Sequence, residues 1–412
     1  MSEAGAGRRA AEIAARTSYG RLVALLAART RDIAAAEDAL AEAFAAALRH
    51  WPQRGVPANP DAWLMTAAKR TLLNAARHDS MRAAASGEVE RRAIERLTDT
   101  EQAMIPDERL KLLFVCAHPA IDAAARTPLM LQTVLGLDAA RIGAAFLIAP
   151  ATMGQRLVRA KAKIRDAGLR FTVPEPEAMP ERLGPVLDAV YAAYGAGWDG
   201  LGGDDAAVRG LGEEAIFLGR LLTELLPDTP EAKGLLALML YCEARRDARR
   251  DVTGRFVPLA DQDARLWSPP MIAEAERLLT AASRAGQFGR YQCEAAIQSV
   301  HVQRPIDGSV NHRALLTLYD LLAAHAPTAG VLVARAATLL QAGDPGAALA
   351  ALEALAAQER VASYQPYWAT RAHALRATGA TAAARDAFHK AAGLATDPAI
   401  RVWLLAEAAG TA

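Results

Sequence analysis

"IAPATMGQRLVRAKAKIR" (148–165) places five cations, Arg156, Arg159, Lys161, Lys163 and Arg165, in ten positions without one acid. At 100° per residue the stretch divides cleanly. Met153, Leu157, Ala160 and Ile164 recur at i, i+4, i+7 and i+11 as a narrow apolar stripe, while Thr152, Gln155, Arg156, Arg159 and Lys163 occupy another face. Taken alone, such a run reads as a solvated surface helix. The residues before it change that reading. "LDAARIGAAFLI" (137–148) carries Leu137, Ile142, Ala145 and Phe146 on one face, and Ala149–Pro150 then breaks the chain. Two short helices joined by a tight break, the second one basic, describe a helix-turn-helix. In that unit the second helix enters the major groove. Gln155 and Arg156 suit adenine and guanine edges, and Arg159 and Lys163 suit phosphates.

The rest of the chain bounds what this unit serves. At 412 residues it is too long for one ordinary core and should form two to four domains. Alanine dominates and β-branched and aromatic residues are sparse, so the expected class is all-α. The net charge of +1 hides an asymmetry: residues 1–170 hold 25 Lys+Arg against 18 Asp+Glu, and residues 171–412 hold 22 against 28. A +7 front half on a −6 back half predicts an anionic partner for the front only. No 18-residue apolar run and no signal-peptide core occur, which predicts a cytoplasmic protein without a membrane partner.

Catalysis and metal binding find no support in the pattern. Cys116, Cys242 and Cys293 are far apart and form no CxxC, so neither a disulfide framework nor a zinc site is expected. The eight histidines are scattered, with no HExxH and no GxSxG, and "GLGGDD" (200–205) lacks the flanks of a phosphate loop. No metal, no cofactor and no catalytic residue are expected. The four arginines of "CEARRDARRD" (242–251) read as a solvated or inter-helix ion-paired face.

Breaks in composition divide the chain into 1–82, a linker at 83–104, 105–170, a proline-rich linker at 171–185, and 186–412. The four prolines of "FTVPEPEAMPERLGP" (171–185) argue against a continuous helix there. Near the end, "AGDPGAALAALEAL" (342–355) aligns with "TGATAAARDAFHKA" (378–391) at an offset of 36, Gly343 on Gly379 and Leu352 on Phe388. Helix, glycine turn, helix at that period is the tetratricopeptide pattern, usually a protein-binding scaffold.

The first block adds "AAAEDALAEAFAAALRHW" (34–51), with Glu37, Asp38 and Glu42 on one flank and Leu40, Phe44 and Leu48 towards a core. The broken stretch "PQRGVPANPDA" (52–62) follows, bracketed by Trp51 and Trp63, and then "WLMTAAKRTLLNAARH" (63–78) with Lys69, Arg70 and Arg77. Loops flanked by tryptophans and a basic helix suit single-stranded DNA, although tryptophans at such spacing are more often core.

"AEDALAEAF" and "NPDAWLMTAAKRTLLNAARH" resemble region 2 of the extracytoplasmic-function sigma factors of bacterial RNA polymerase, and "LMLQTVLGLDAARIGAAFLIAPATMGQRLVRAKAKIR" (129–165) resembles their region 4. The remainder is similar to the long tetratricopeptide-like extension of one subgroup. The resemblance implies two small helical sigma domains followed by a helical repeat domain. It implies core polymerase as partner, through the β′ clamp and the β flap, and promoter DNA. Asp38, Glu42 and Phe44 then face the clamp. Trp51, Asn59, Trp63, Lys69, Arg70 and Arg77 serve the −10 element, and Thr152, Gln155, Arg156, Arg159 and Lys163 serve the −35 element. The extension would receive a regulatory protein or ligand. Two other readings stay open: a stand-alone helix-turn-helix regulator with a sensing repeat domain, and a helical-repeat enzyme with its site in the third block.

Overall fold

The computed structural model describes residues 3–82, 108–146, 148–175, 177–199, 206–304, 309–357 and 359–410. The expected linker at 83–104 and the "GLGGDD" segment lie outside them. Regular structure among the described residues is helical, apart from one isolated bridge between Arg250 and Phe256. The chain divides into two units, Met1–Ala196 and Gly197–Ala412.

The first unit is built on α1 (Glu3–Thr30), whose Leu22, Val23 and Leu26 are fully buried. Arg31, in the left-handed region at φ 59°, turns the chain sharply into α2 (Ile33–Arg54). Asp32 caps that helix, its carboxylate accepting from the Ala35 N–H at 3.1 Å. The expected break at Pro52 comes three residues later, at Gly55 with φ 82°. Proline there forfeits only the bond to the carbonyl of Leu48, whose side chain lies on an exposed flank. After α3 (Pro60–Arg82) come α4 (Arg109–Cys116), α5 (Ala123–Leu135), α6 (Ala139–Ala145), α7 (Pro150–Asp166) and α8 (Met179–Asp199).

Helix α1 packs on α2, α3, α4 and α5. Its crossing with α5 is nearly backbone on backbone: a Cβ at Gly20 would stand 1.9 Å from the Val134 carbonyl oxygen. Helix α8 runs through Pro185, so the proline-rich stretch yields to helix from Met179 onward.

The second unit stacks α9 (Ala206–Leu225), α10 (Pro230–Glu243), α11 (Pro269–Ser283), α12 (Arg290–Val302), α13 (His312–His325), α14 (Ala329–Gln341), α15 (Pro345–Leu355), α16 (Gln365–Ala377), α17 (Thr381–Leu394) and α18 (Pro398–Ala409). Successive helices pair. The turns inside α14–α15 and α16–α17 close through Gly343 (φ 91°) and Gly379 (φ 81°), the two glycines that align in sequence.

The arginine run is structural, in line with its inter-helix reading. Arg245 is buried and donates to the Tyr241 carbonyl and to Gln298. Arg246 pairs with Glu243 at 2.5 Å, Arg249 lies 4.1 Å over the Trp198 ring, and Arg250 pairs with Asp397, the residue that caps α18. These ties bind the irregular segment after α10 to residues far along the chain.

Candidate nucleic-acid and polymerase interfaces

The α6–α7 turn depends on one glycine. A Cβ at Gly143 would sit 2.5 Å from the Ile148 carbonyl oxygen, and the Ile148 N–H returns to the Gly143 carbonyl at 2.8 Å. Pro150 opens α7 at a position where no backbone donor is needed. The stripe predicted from periodicity is the buried one: Met153, Leu157, Ala160 and Ile164 are at most 6% exposed.

That burial turns one flank of α7 to solvent. Thr152, Gln155, Arg159 and Lys163 are exposed, and Arg156 is half-buried. The Arg156 guanidinium donates to the Ala124 carbonyl at 3.3 Å. With Arg159, Lys163, Ala120, Ile121 and Asp122 it lines a surface cavity of about 360 Å³. Three guanidinium and ammonium groups around one open depression make a surface for an anionic polymer.

The opposite flank of α7 does something that residue counting missed. Lys161 pairs with Glu37 of α2 at 2.6 Å, both side chains little more than a tenth exposed, and Arg165 lies 3.9 Å from Asp32. Burial pushes the Glu37 carboxyl above its usual range, and the nearby Lys161 ammonium offsets that only in part. The helical projection places Lys161 and Arg165 away from Arg156, but only the tertiary fold supplies their partners.

A second surface forms on α2 and α3. Asp38 and Glu42 are exposed one turn apart on α2, and Phe44 is half-buried. The loop after α2 is fixed at both ends. Trp51, 2% exposed, meets Trp63 edge-on with ring centroids 5.5 Å apart. Asn59 caps α3 through the Ala62 N–H at 3.0 Å, and Asp61 in its first turn accepts from Arg21 and from the Ser18 hydroxyl of α1. Trp51 is therefore a core buttress, and Trp63 is the ring with an open side.

Around Trp63, a cavity of about 580 Å³ is lined by Glu42, Arg49, His50, Arg70 and Thr71, among others. Arg49 and His50 were not singled out in the sequence; their place one turn before the loop is the signal that could have found them. Arg70 is exposed, and Lys69 is half-buried, its ammonium pKa lowered by burial and by Arg29. The side chain of Arg77 lies outside the described residues. Among the described residues, no cluster of three or more His, Cys, Asp or Glu could hold a metal ion.

Residues 15–81 match the family Sigma-70 region 2, the segment that carries Asp38, Glu42, the loop and Trp63. Residues 182–283 match a family described only as of unknown function (DUF6596). A protein of Rhizobium meliloti (strain 1021), described as uncharacterized, is 36% identical over 372 residues, 89% of this chain and 88% of that relative. No solved structure matches.

Proposed function

We propose that this chain, which belongs to the sigma-70 family and shares a family with the Rhizobium meliloti protein along most of its length, is an extracytoplasmic-function-type sigma factor. It binds core RNA polymerase in the cytoplasm and directs initiation at specific promoters without a catalytic step of its own. The observation that carries this reading is one unit that presents an acidic flank with an open tryptophan loop on α2–α3 and a cationic flank on α6–α7. In this reading Asp38, Glu42 and Phe44 meet the clamp. Trp63, Asn59, Lys69, Arg70 and Arg77 hold the melted −10 strand, with Trp51 beneath as support. Thr152, Gln155, Arg156, Arg159 and Lys163 lie on −35 duplex, the side chains reading edges and neutralising phosphates.

The domains follow as region 2 at 1–82, region 4 at 105–170, and a tetratricopeptide-like extension at 186–412 that modulates the activity through a protein or ligand. Among the described residues, no helix is long and apolar enough to cross a membrane.

Run-off transcription with purified core polymerase on a library of promoter fragments tests the reading. Promoter-specific transcripts are expected from the full chain, and removal of residues 197–412 is expected to change their yield. A chain that binds duplex DNA but neither binds core polymerase nor yields a transcript would instead be a stand-alone regulator.

A further inference from the structure

We infer that the second unit carries a docking groove for an amphipathic helix of another protein, seated on α18 with a lysine or arginine of its flank facing Asp261. Its purpose rests on the sigma-factor reading above, in which that helix belongs to the partner through which the extension modulates activity.

Helix α18 is apolar on two sides. Leu404 and Ala408 are buried in one core with Phe388 and Ala391 of α17. On the other side Pro398, Val402, Leu405, Ala406 and Ala409 are exposed at i, i+4, i+7, i+8 and i+11, Val402 at 59% and Leu405 at 43%. That spacing makes a seam on which a second helix packs. Repeat stacks keep an open outer face polar, and this one is apolar. In the same unit α14 packs on α15 and α16 on α17, so helix-on-helix pairing is how this stack buries such stripes.

An irregular segment turns the seam into a groove. Arg250 pairs with Asp397 at the start of α18, and Phe256 meets Trp403 edge-on with ring centroids 5.5 Å apart. Between these ties the Asp251 carboxylate accepts from the N–H groups of Thr253 and Arg255 at 2.8 and 3.0 Å, which fixes the loop before anything binds. The resulting cavity is about 680 Å³, walled by Phe256, Val257 and Pro258 on one side and by Ala399, Val402 and Trp403 on the other. At about 1.5 Å per residue, α18 offers a partner helix about three turns of contact.

Charge on the rim selects the flank of that partner. Arg255 is neutralised by Asp251, its guanidinium 2.9 Å from the carboxylate. Arg401 lies outside the cavity lining and donates to the Ala395 carbonyl at 2.7 Å. The Asp261 carboxylate lines the cavity, exposed and with no side-chain partner among the described residues. A cation on the docked helix completes that pair, and an acid in its place is repelled.

Titrating a dye-labelled synthetic helical peptide with the full chain, read by fluorescence anisotropy, tests the groove. Neither polymerase nor DNA is present, so its failure is distinct from a failure of run-off transcription. The probe carries leucines at i, i+4, i+7 and i+11 and lysines on the flank. One control replaces the lysines with glutamates, and another shuffles the leucines out of register. The lysine probe is expected to bind roughly tenfold tighter than either. Val402→Arg, a change at an exposed position that should leave the thermal midpoint in place, is expected to abolish binding. Asp261→Lys should reverse the preference between the lysine and glutamate probes. Equal binding of any control, or unchanged affinity in a folded Val402→Arg chain, overturns the inference. Sedimentation equilibrium is expected to show a monomer; a dimer that Val402→Arg dissociates would overturn it in favour of a second copy of this chain.

Discussion

Two tryptophans bracket the loop after α2, and their substitutions should fail in different ways. Trp51 is 2% exposed, so Trp51→Ala empties a large core site and is expected to cost about 3–5 kcal/mol of stability. Trp63 is half-buried with one side open to the cavity, so Trp63→Ala should leave a folded chain that binds core polymerase and fails to open promoter DNA. Thermal melts and permanganate footprinting distinguish the two outcomes; a folded, strand-opening Trp63→Ala chain would remove Trp63 from the site. The arginines of α7 divide likewise. Arg156→Ala is expected to cost roughly 1–3 kcal/mol on the preferred −35 sequence and to flatten discrimination at one base pair. Arg159→Ala should weaken all sequences alike and lower the salt slope by about one phosphate contact. Binding over a salt series measures both. At this scale the sequence named the exposed cations of α7 but could not tell Trp51 from Trp63, because indole rings of core and surface share one periodicity. Nor could it find the partner of Lys161, which lies 124 positions away.

The apolar stripe of α7 was legible because burial on one face imposes a 3.6-residue period, and Met153, Leu157, Ala160 and Ile164 obey it. The ends of elements were harder to read. Pro52 and Pro185 lie inside helices, where each forfeits one backbone bond that packing elsewhere outweighs. The arginines of 245–250 looked suited to ion pairs with near neighbours. Arg246 does pair locally, but Gln298, Trp198 and Asp397 take the others, partners that only the fold brings near. Helix α2 carries the prediction that belongs here. Asp38 and Glu42 stand on one exposed flank at i and i+4, where reversing the charge costs little in stability. Asp38→Arg with Glu42→Arg is expected to abolish binding to core polymerase while the thermal midpoint moves by no more than a degree or two, since exposed changes stay within about 0.5 kcal/mol. Unchanged affinity in a pull-down with core enzyme would move the polymerase contact off this flank.

Across the whole molecule, the charge asymmetry of the two halves was plain in the sequence, but the response of each unit to acid depends on burial. In the second unit, burial pushes the His301 imidazole down to about 4, helped by the positive charges of Arg245, His312 and Arg304. Burial also lowers His373, with Arg376 adding to the effect and Glu407 opposing it. A histidine held neutral in the folded state leaves stability untouched above its unfolded pKa near 6.5. Between about 6.5 and 4 the unfolded chain takes up a proton that the folded chain refuses, so stability falls as the pH falls. For His301 alone the loss approaches roughly 3 kcal/mol by pH 4. In the first unit, Glu37 works in the opposite sense. Its folded pKa is raised, so its contribution is present in acid and is lost as the pH rises through that pKa. Among the described residues of that unit, His118 is the histidine whose pKa is lowered, and it is only shallowly buried. Acid should therefore melt the second unit first. Calorimetry from pH 7.5 down to 4.5 is expected to show one transition moving to lower temperature, with hydrogen exchange assigning it to residues 197–412. His301→Gln, which cannot be protonated, should flatten that shift, whereas equal pH slopes for the variant and the wild-type chain would mean that His301 is protonated as readily in the folded state as in the unfolded one.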